Sequence, residues 1–365
     1  MRRRTFLKVS TALGAGGLLG AKLRAGPTKA PSPVFVAASA DMYSADTEQK
    51  RRAIGQGLDS CAVELARSLG ALAISRVGQA WEKILGAVTS QTRIAVHVTC
   101  FFADLNNINS PQIETLQALV AGLCDMLEGT FPAANIAIFD NDMSGIHRPH
   151  AVYGAAALEA MGVEHQDNAW DGSSPMQING RRLYPHIYFS RADYVINVAR
   201  LSGHQYAPGS GPGITGCVKG IMGQCSTDVS TFTGIDGAFH DTNKIWRGHQ
   251  DHWKLIKDKV KVNLLDMVYA TRHERLAFSK TVGELCLGLD PCAVDGYGSA
   301  KLQELEAADP SWTTYPSLTI PEAVAAAVSG WSTEYQKVDC PIPPRYDASD
   351  GIPPRPPQNL RVDPA

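Results

Sequence analysis

The chain has 365 residues, 34 Lys and Arg against 36 Asp and Glu, 44% hydrophobic and 19% charged residues. That composition is ordinary for a globular protein and excludes a collagen-like, low-complexity or largely disordered chain. A formal net charge of −2 also speaks against sequence-independent binding of nucleic acid, which needs a basic face.

The chain opens Met1-Arg2-Arg3-Arg4-Thr5-Phe6-Leu7-Lys8, continues as an apolar and small-residue run from Val9 to Leu19, and then reaches Lys22, Arg24 and Ala25. A charged start, an apolar middle and a small-residue end are the three parts of a secretory signal. Arg3-Arg4 followed by Phe6, Leu7 and Lys8 resembles the twin-arginine export signature, with Arg2 in place of the usual hydroxyl residue. The apolar run, diluted by Gly14, Gly16 and Gly17, falls short of the ~20 residues a membrane span needs. Residues 1–30 are therefore expected to be a signal peptide read by the Tat export machinery. The mature chain is expected to be periplasmic or otherwise extracytoplasmic, without a membrane span. Cleavage near Ala25 removes six basic residues and no acid, which leaves a net charge of −8. Export of folded protein also favours a metal or other cofactor loaded beforehand.

Residues 31–340 are long enough to bury a substantial core. Ala53, Ile54, Leu58, Cys61, Ala62, Leu65 and Leu69 recur at three and four residues, the spacing of an amphipathic helix. Arg93 to Thr99 alternates as a strand. Ser110 and Pro111 are read as the cap and first turn of a helix striped by Ile113, Leu116, Leu119, Val120 and Leu123. Asn135 to Phe139 is a second short strand. Strand, helix and strand in that order imply parallel pairing through a crossover. Further strands are expected at Tyr194 to Ala199, Lys261 to Val268 and Val282 to Leu289. Ile178-Asn179-Gly180-Arg181 reads as a tight hairpin turn. The predicted fold is α/β, a mostly parallel sheet flanked by helices with a smaller hairpin-containing portion appended. Residues 341–365 carry eight prolines and read as an extended, disordered tail.

None of the eight cysteines has the two-residue gap of a zinc ribbon or ferredoxin cluster, so no iron-sulfur motif of standard spacing is present. Cys217 with Cys225, or Cys286 with Cys292, could pair after export, although spacing alone does not decide the pairing. Cys61 and Cys124 sit at helical spacing among apolar residues and read as core thiols.

Chemistry-bearing residues concentrate after the strand at Tyr194. Asn197, Arg200 and His204 lead to Gly211-Pro212-Gly213-Ile214-Thr215-Gly216, then Lys219 and Gly223. The glycines match a dinucleotide fingerprint only in spacing, because no strand feeds them directly and Pro212 removes an amide donor. A Gly-rich turn entering a helix exposes N–H groups, and Lys219 adds a charge for an anion; a plain connection with a solvated lysine fits the spacing as well. His249 and His252, three apart, share a helix face and could ligate a metal with His204 or a carboxylate, or simply be solvated. His97, inside a strand, reads as a structural histidine. Asp290 with Pro291 is placed as a helix cap, which leaves Asp295 one turn on without that explanation.

Together these segments, from Ala53 to Leu302, resemble the DUF362 family. Its strand ending Asn-x-Pro-Lys-x-Lys-x-His is matched by Asn197, Arg200 and His204. Its Gly-x-Thr-Gly-x-x-Lys is matched by Gly213, Thr215, Gly216 and Lys219. Its Asp-Pro-x-Ala-x-Asp is matched by Asp290, Pro291, Ala293 and Asp295. Asp140 and Asp266 stand where strands of the family end in Asp. Ala199, Ser202 and Gly220 depart from the pattern, Val96 to Thr99 replaces an early Lys-Pro-Asn, and a ferredoxin-like segment is missing. The resemblance strengthens His204, Lys219, Asp290 and Asp295 as site residues without naming a substrate, and with the residue patterns above the expectation is a strand-end crevice for a metal ion or small anion. His204, Lys219 and Asp295 would be catalytic there, with Asn197, Arg200, Gly213, Thr215 and Gly216 binding. His204, His249, His252 and Asp290 would be the metal ligands. A non-catalytic binding or assembly role in an extracytoplasmic redox or metal system is the alternative.

Overall fold

A computed structural model describes residues 29–71, 73–100, 110–140, 152–165, 169–203, 214–228, 236–239, 246–272, 280–312 and 318–342. Its centre is an eight-stranded sheet. In chain order the strands are β1 (Ser32–Ala38), β2 (Ile94–Val98), β3 (Ile136–Phe139), β4 (Glu164–His165), β5 (Met176–Ile178), β6 (Arg181–Pro185), β7 (Tyr194–Ser202), β8 (Cys225–Ser226), β9 (Val260–Thr271), β10 (Lys280–Gly288) and β11 (Tyr335–Asp339). The large sheet runs β11-β1-β10-β9-β7-β2-β3-β4, while β5, β6 and β8 form a small antiparallel sheet. Within the large sheet β10 alone runs against its neighbours β1 and β9. The protein is thus α/β with a mostly parallel sheet, as its alternation of strand and helix patterns predicts.

Both faces of the sheet are covered, which is why its strands read as near-continuous apolar runs. Successive side chains of a strand point to opposite faces. Ile94, Val96, Ile136, Ile138, Ile196 and Val198 pack with helices α1 (Thr47–Ser68), α2 (Val77–Leu85) and α3 (Ile113–Cys124). Ala95, Ala137, Phe139 and Val195 pack on the other side, against the later helices. Those are α5 (Ile187–Arg191), α6 (Cys217–Gly220), α7 (Arg247–Ile256), α8 (Pro291–Ala308) and α9 (Thr319–Ala327), whereas the short α4 (Ala155–Ala160) joins the first face through Leu158.

The crossover from β2 through α3 to β3 ends in parallel pairing, Ile94 opposite Ile136. The hairpin is present too: Ile178 pairs with Arg181, and Asn179 (φ 48) and Gly180 (φ 73) take the positive φ values such a turn needs. Three features differ from the sequence reading. Helix α3 begins at Ile113 with Gln112 as its cap, not at Ser110, because Asp266 on β9 accepts the Gln112 amide and the Thr115 hydroxyl, each at 2.7 Å. Strands β1 and β11 carried no recognised pattern, one being a short apolar run and the other a polar edge strand. The packed chain also continues past residue 340, since Pro341 accepts a hydrogen bond from Ser60 and Ile342 packs on the α1 core. At the other end Lys29 is already part of the fold, its ammonium donating to Ala325 O and Val328 O at the end of α9. No helix of the described residues is long and apolar enough to cross a membrane. All eight cysteines are free thiols.

Candidate functional site

The fourth residue of three neighbouring parallel strands is polar: His97 in β2, Asn197 in β7 and Asn263 in β9. Register aligns them, His97 opposite Asn197 and Asn197 opposite Asn263. In-register neighbours point to the same face. They form a buried row across the sheet, the fourth residue of five in β2, of nine in β7 and of twelve in β9. His97 Nδ1 lies 3.2 Å from Asn197 Oδ1, Asn197 Nδ2 donates to Asn263 Oδ1 at 3.0 Å, and Asn263 Nδ2 donates to Leu289 O at 3.1 Å. At the other end His97 Nε2 approaches Asp140 Oδ1 at 3.3 Å, and Asp140 Oδ2 accepts the Cys100 amide at 2.6 Å. His97 is thus bonded through Nδ1, while its buried Nε2, although close to Asp140, makes no hydrogen bond, so the ring is only partly satisfied.

Helix α7 supplies the wall above this row. His249 and His252, one turn apart, are both buried and bracket Phe239, with ring centroids 5.0 and 5.2 Å away. His252 Nε2 accepts from Gln224 Nε2 at 2.5 Å, because an amide nitrogen can only donate. Burial first, and then the neighbouring His97, push the His252 pKa down to about 3, so its imidazole is neutral. His186 belongs to the same region, stacked on Phe139 at 4.7 Å. Among the described residues no group of three or more His, Cys, Asp and Glu could hold a metal ion. His249 and His252 are therefore not joined there by a third ligand.

The two family-like motifs meet in space. Asp295, fully buried on α8, accepts the amides of Cys217 and Val218 at 2.6 and 2.9 Å, and so closes the first turn of α6. A carboxylate at a helix start satisfies donors that otherwise lack partners. Gly216 explains itself by the same contact, since a Cβ there would lie 2.2 Å from Asp295 Oδ1. Burial raises the Asp295 pKa to about 7 against the opposing pull of the two amides. Thr215 N donates to Ser202 O at 2.8 Å. Three amides of the Gly-rich turn's neighbourhood are thus already engaged within the protein. Lys219 lies on the same short helix, 5% exposed.

Asp290 caps α8 as its sequence position suggests. Its Oδ1 accepts the Cys292 and Ala293 amides, and its Oδ2 accepts the Ser32 hydroxyl and the Ser332 amide. Four donors on one carboxylate tie β1, α8 and the approach to β11 together, and they leave little room for a metal. Asn197 and Arg200, three apart on β7, face opposite sides of the sheet. Asn197 belongs to the buried row and also donates to Cys217 O at 2.9 Å, whereas Arg200 donates to Thr99 O at 3.1 Å. His204 and Gly213 lie outside the described residues, as do the stretches 101–109, 141–151 and 204–213 that follow β2, β3 and β7.

The sequence reading singled out neither Asn263 nor Gln224 or His186. The available signal for Asn263 was a polar residue at the same fourth position of three strands. Gln224 and His186 offered no such signal.

No family model and no curated protein sequence matches this chain. Among solved structures it is similar to the lactate racemase apoprotein from Thermoanaerobacterium thermosaccharolyticum, with 13% sequence identity and a TM-score of 0.39. The match covers 67% of this chain and 55% of that one, little more than half its length. A likeness of that size carries no statement about chemistry.

Proposed function

We propose that this protein is exported and binds a small ligand, a small anion or metal ion, at the carboxyl ends of β2, β3, β7 and β9, in an enzyme-like crevice. The observation that carries this reading is the buried row Asp140, His97, Asn197 and Asn263. Parallel strands covered on both faces have no structural need for polar side chains, and open α/β sheets take their ligands outside the strands' carboxyl ends. Lys219 and His204 would meet the ligand, with the polar row of Asp140, His97 and Asn197 supplying hydrogen-bonding groups to orient it. The anion is the better fit, since the described residues offer no set of metal ligands while Lys219 supplies a cation.

The test uses protein recovered from the extracytoplasmic fraction, with metals measured by elemental analysis and inorganic phosphate titrated by calorimetry. Phosphate binding that weakens about tenfold in Lys219→Met, the loss of one charge-assisted contact, is expected. Neither bound metal nor phosphate binding would remove the proposal. Residues 1–30 direct export in this reading, and replacing Arg3 and Arg4 by lysine should retain the protein inside the cell.

A second reading, a non-catalytic assembly protein with a DUF362-like fold, is favoured by Asp290 and Asp295. Both carboxylates of the resemblance are engaged in capping the protein's own helices. Titration separates the two readings: an assembly protein would bind a partner protein with unchanged affinity in Lys219→Met.

A further inference from the structure

The last described residues run along α1. Ser60 Oγ donates to Pro341 O at 2.9 Å, and the Cys340 amide donates to Val36 O at 2.8 Å. Cys61, next to Ser60 on α1, points its thiol at Phe35 O, 3.4 Å away. Phe35 and Val36 are adjacent in β1, so the two cysteines meet one peptide stretch, Cys61 from the helix over it and Cys340 from the strand beside it. β11 pairs in parallel with β1, Phe35 opposite Val338. Alternation then turns Val338 and Cys340 to the face where Phe35 and Ala37 pack with α1. Burial, and after it the Cys340 thiol, hold the Cys61 thiol well above its ordinary value. A folded protein therefore keeps almost none of it as the reactive thiolate.

We propose that Cys61 and Cys340 are a disulfide site that fastens the edge strand β11 to α1. The oxidant is a small or protein disulfide met after export, so this inference rests on the export reading for its setting. Exchange begins while residues 340–342 are lifted from α1. One cysteine thiolate attacks the oxidant's disulfide, forming a mixed disulfide and releasing one oxidant thiolate. The second protein thiolate attacks the protein sulfur of that mixed disulfide and expels the other. Two protein thiols become one disulfide, losing two protons and two electrons, and the oxidant is reduced to two thiols.

The experiment incubates the purified full chain with oxidised glutathione, with and without mild urea to loosen the end of the chain, and maps non-reduced peptides by mass spectrometry. A linked Cys61–Cys340 peptide is expected, together with a rise in Tm of roughly 5 °C that dithiothreitol reverses. The rise should be absent in Cys340→Ser and retained in Cys286→Ala, the neighbouring thiol. Both cysteines free after oxidation in urea, or either one linked to Cys286, overturns the assignment. Because oxidation is done in vitro, a linked pair in a chain that fails export refutes export alone, whereas an exported chain with both thiols free after oxidation refutes the disulfide alone.

Discussion

Two buried residues give the protein opposite responses to pH. Asp295 holds its proton up to about pH 7 when folded, against an ordinary 3.8. Its folded state therefore binds the extra proton, and the stability it contributes is present below pH 4 and lost as pH rises through 7. An asparagine there turns an N–H toward one of the two amides. Asp295→Asn should thus cost about 1–3 kcal/mol at pH 5, and the cost should shrink by pH 8, measured by urea unfolding at both pH values. A penalty that grew with pH would contradict the buried acid. His252 works the other way, since its folded pKa of about 3 lies below the ordinary 6.5. Its contribution is present above pH 6.5 and lost as pH falls. His252→Gln should cost more at pH 7 than at pH 5 in the same assay, and a cost that rose toward acid would show that the imidazole is charged when folded.

At the scale of elements, several ends are fastened by side chains from far along the chain. Asp266 on β9 reaches across to the start of α3, where it accepts from Gln112 N and Thr115 Oγ1, and its other oxygen accepts the Val268 amide at 3.0 Å. Burial raises its pKa, and these donors oppose the rise. Asp266→Ala strands three buried donors and should destabilise the protein by about 2–4 kcal/mol, while Thr115→Val should cost about 1 kcal/mol. Chemical unfolding of both variants checks the ratio, and equal costs would mean that the carboxylate is not the cap. The same logic accounts for what could be read beforehand. Ile178-Asn179-Gly180-Arg181 was legible because its turn geometry is set by the residues inside it. The start of α3 was misplaced because its cap comes from residue 266, more than a hundred positions away.

Across the whole molecule the sheet depends on its last strand. β1 is an apolar run buried between β10 and β11, and β11 offers the polar, charged edge that a sheet needs against solvent. A chain ending at residue 334 would leave β1 as an apolar edge. It should self-associate on concentration, which light scattering reads directly; a monomeric truncated chain would mean that β1 is shielded by other parts of the molecule. The eight-stranded order could not be read from the chain, because β1 joins β10 and β11 joins β1 across most of the described sequence.

The amino-acid sequence alone determined which stretches are strand and which are helix over much of the chain, since period and turn chemistry are local properties of a few neighbouring residues. It also determined the α/β class, because a strand, a helix and a strand in succession favour parallel pairing. Only the tertiary structure decided the distant partners. It turned Asn197 and Arg200 to opposite faces, committed Asp295 to closing the start of α6, and aligned His97, Asn197 and Asn263 into one row. Each of those outcomes depends on register and on which distant carboxylate meets which helix end, and no spacing within a single segment encodes that.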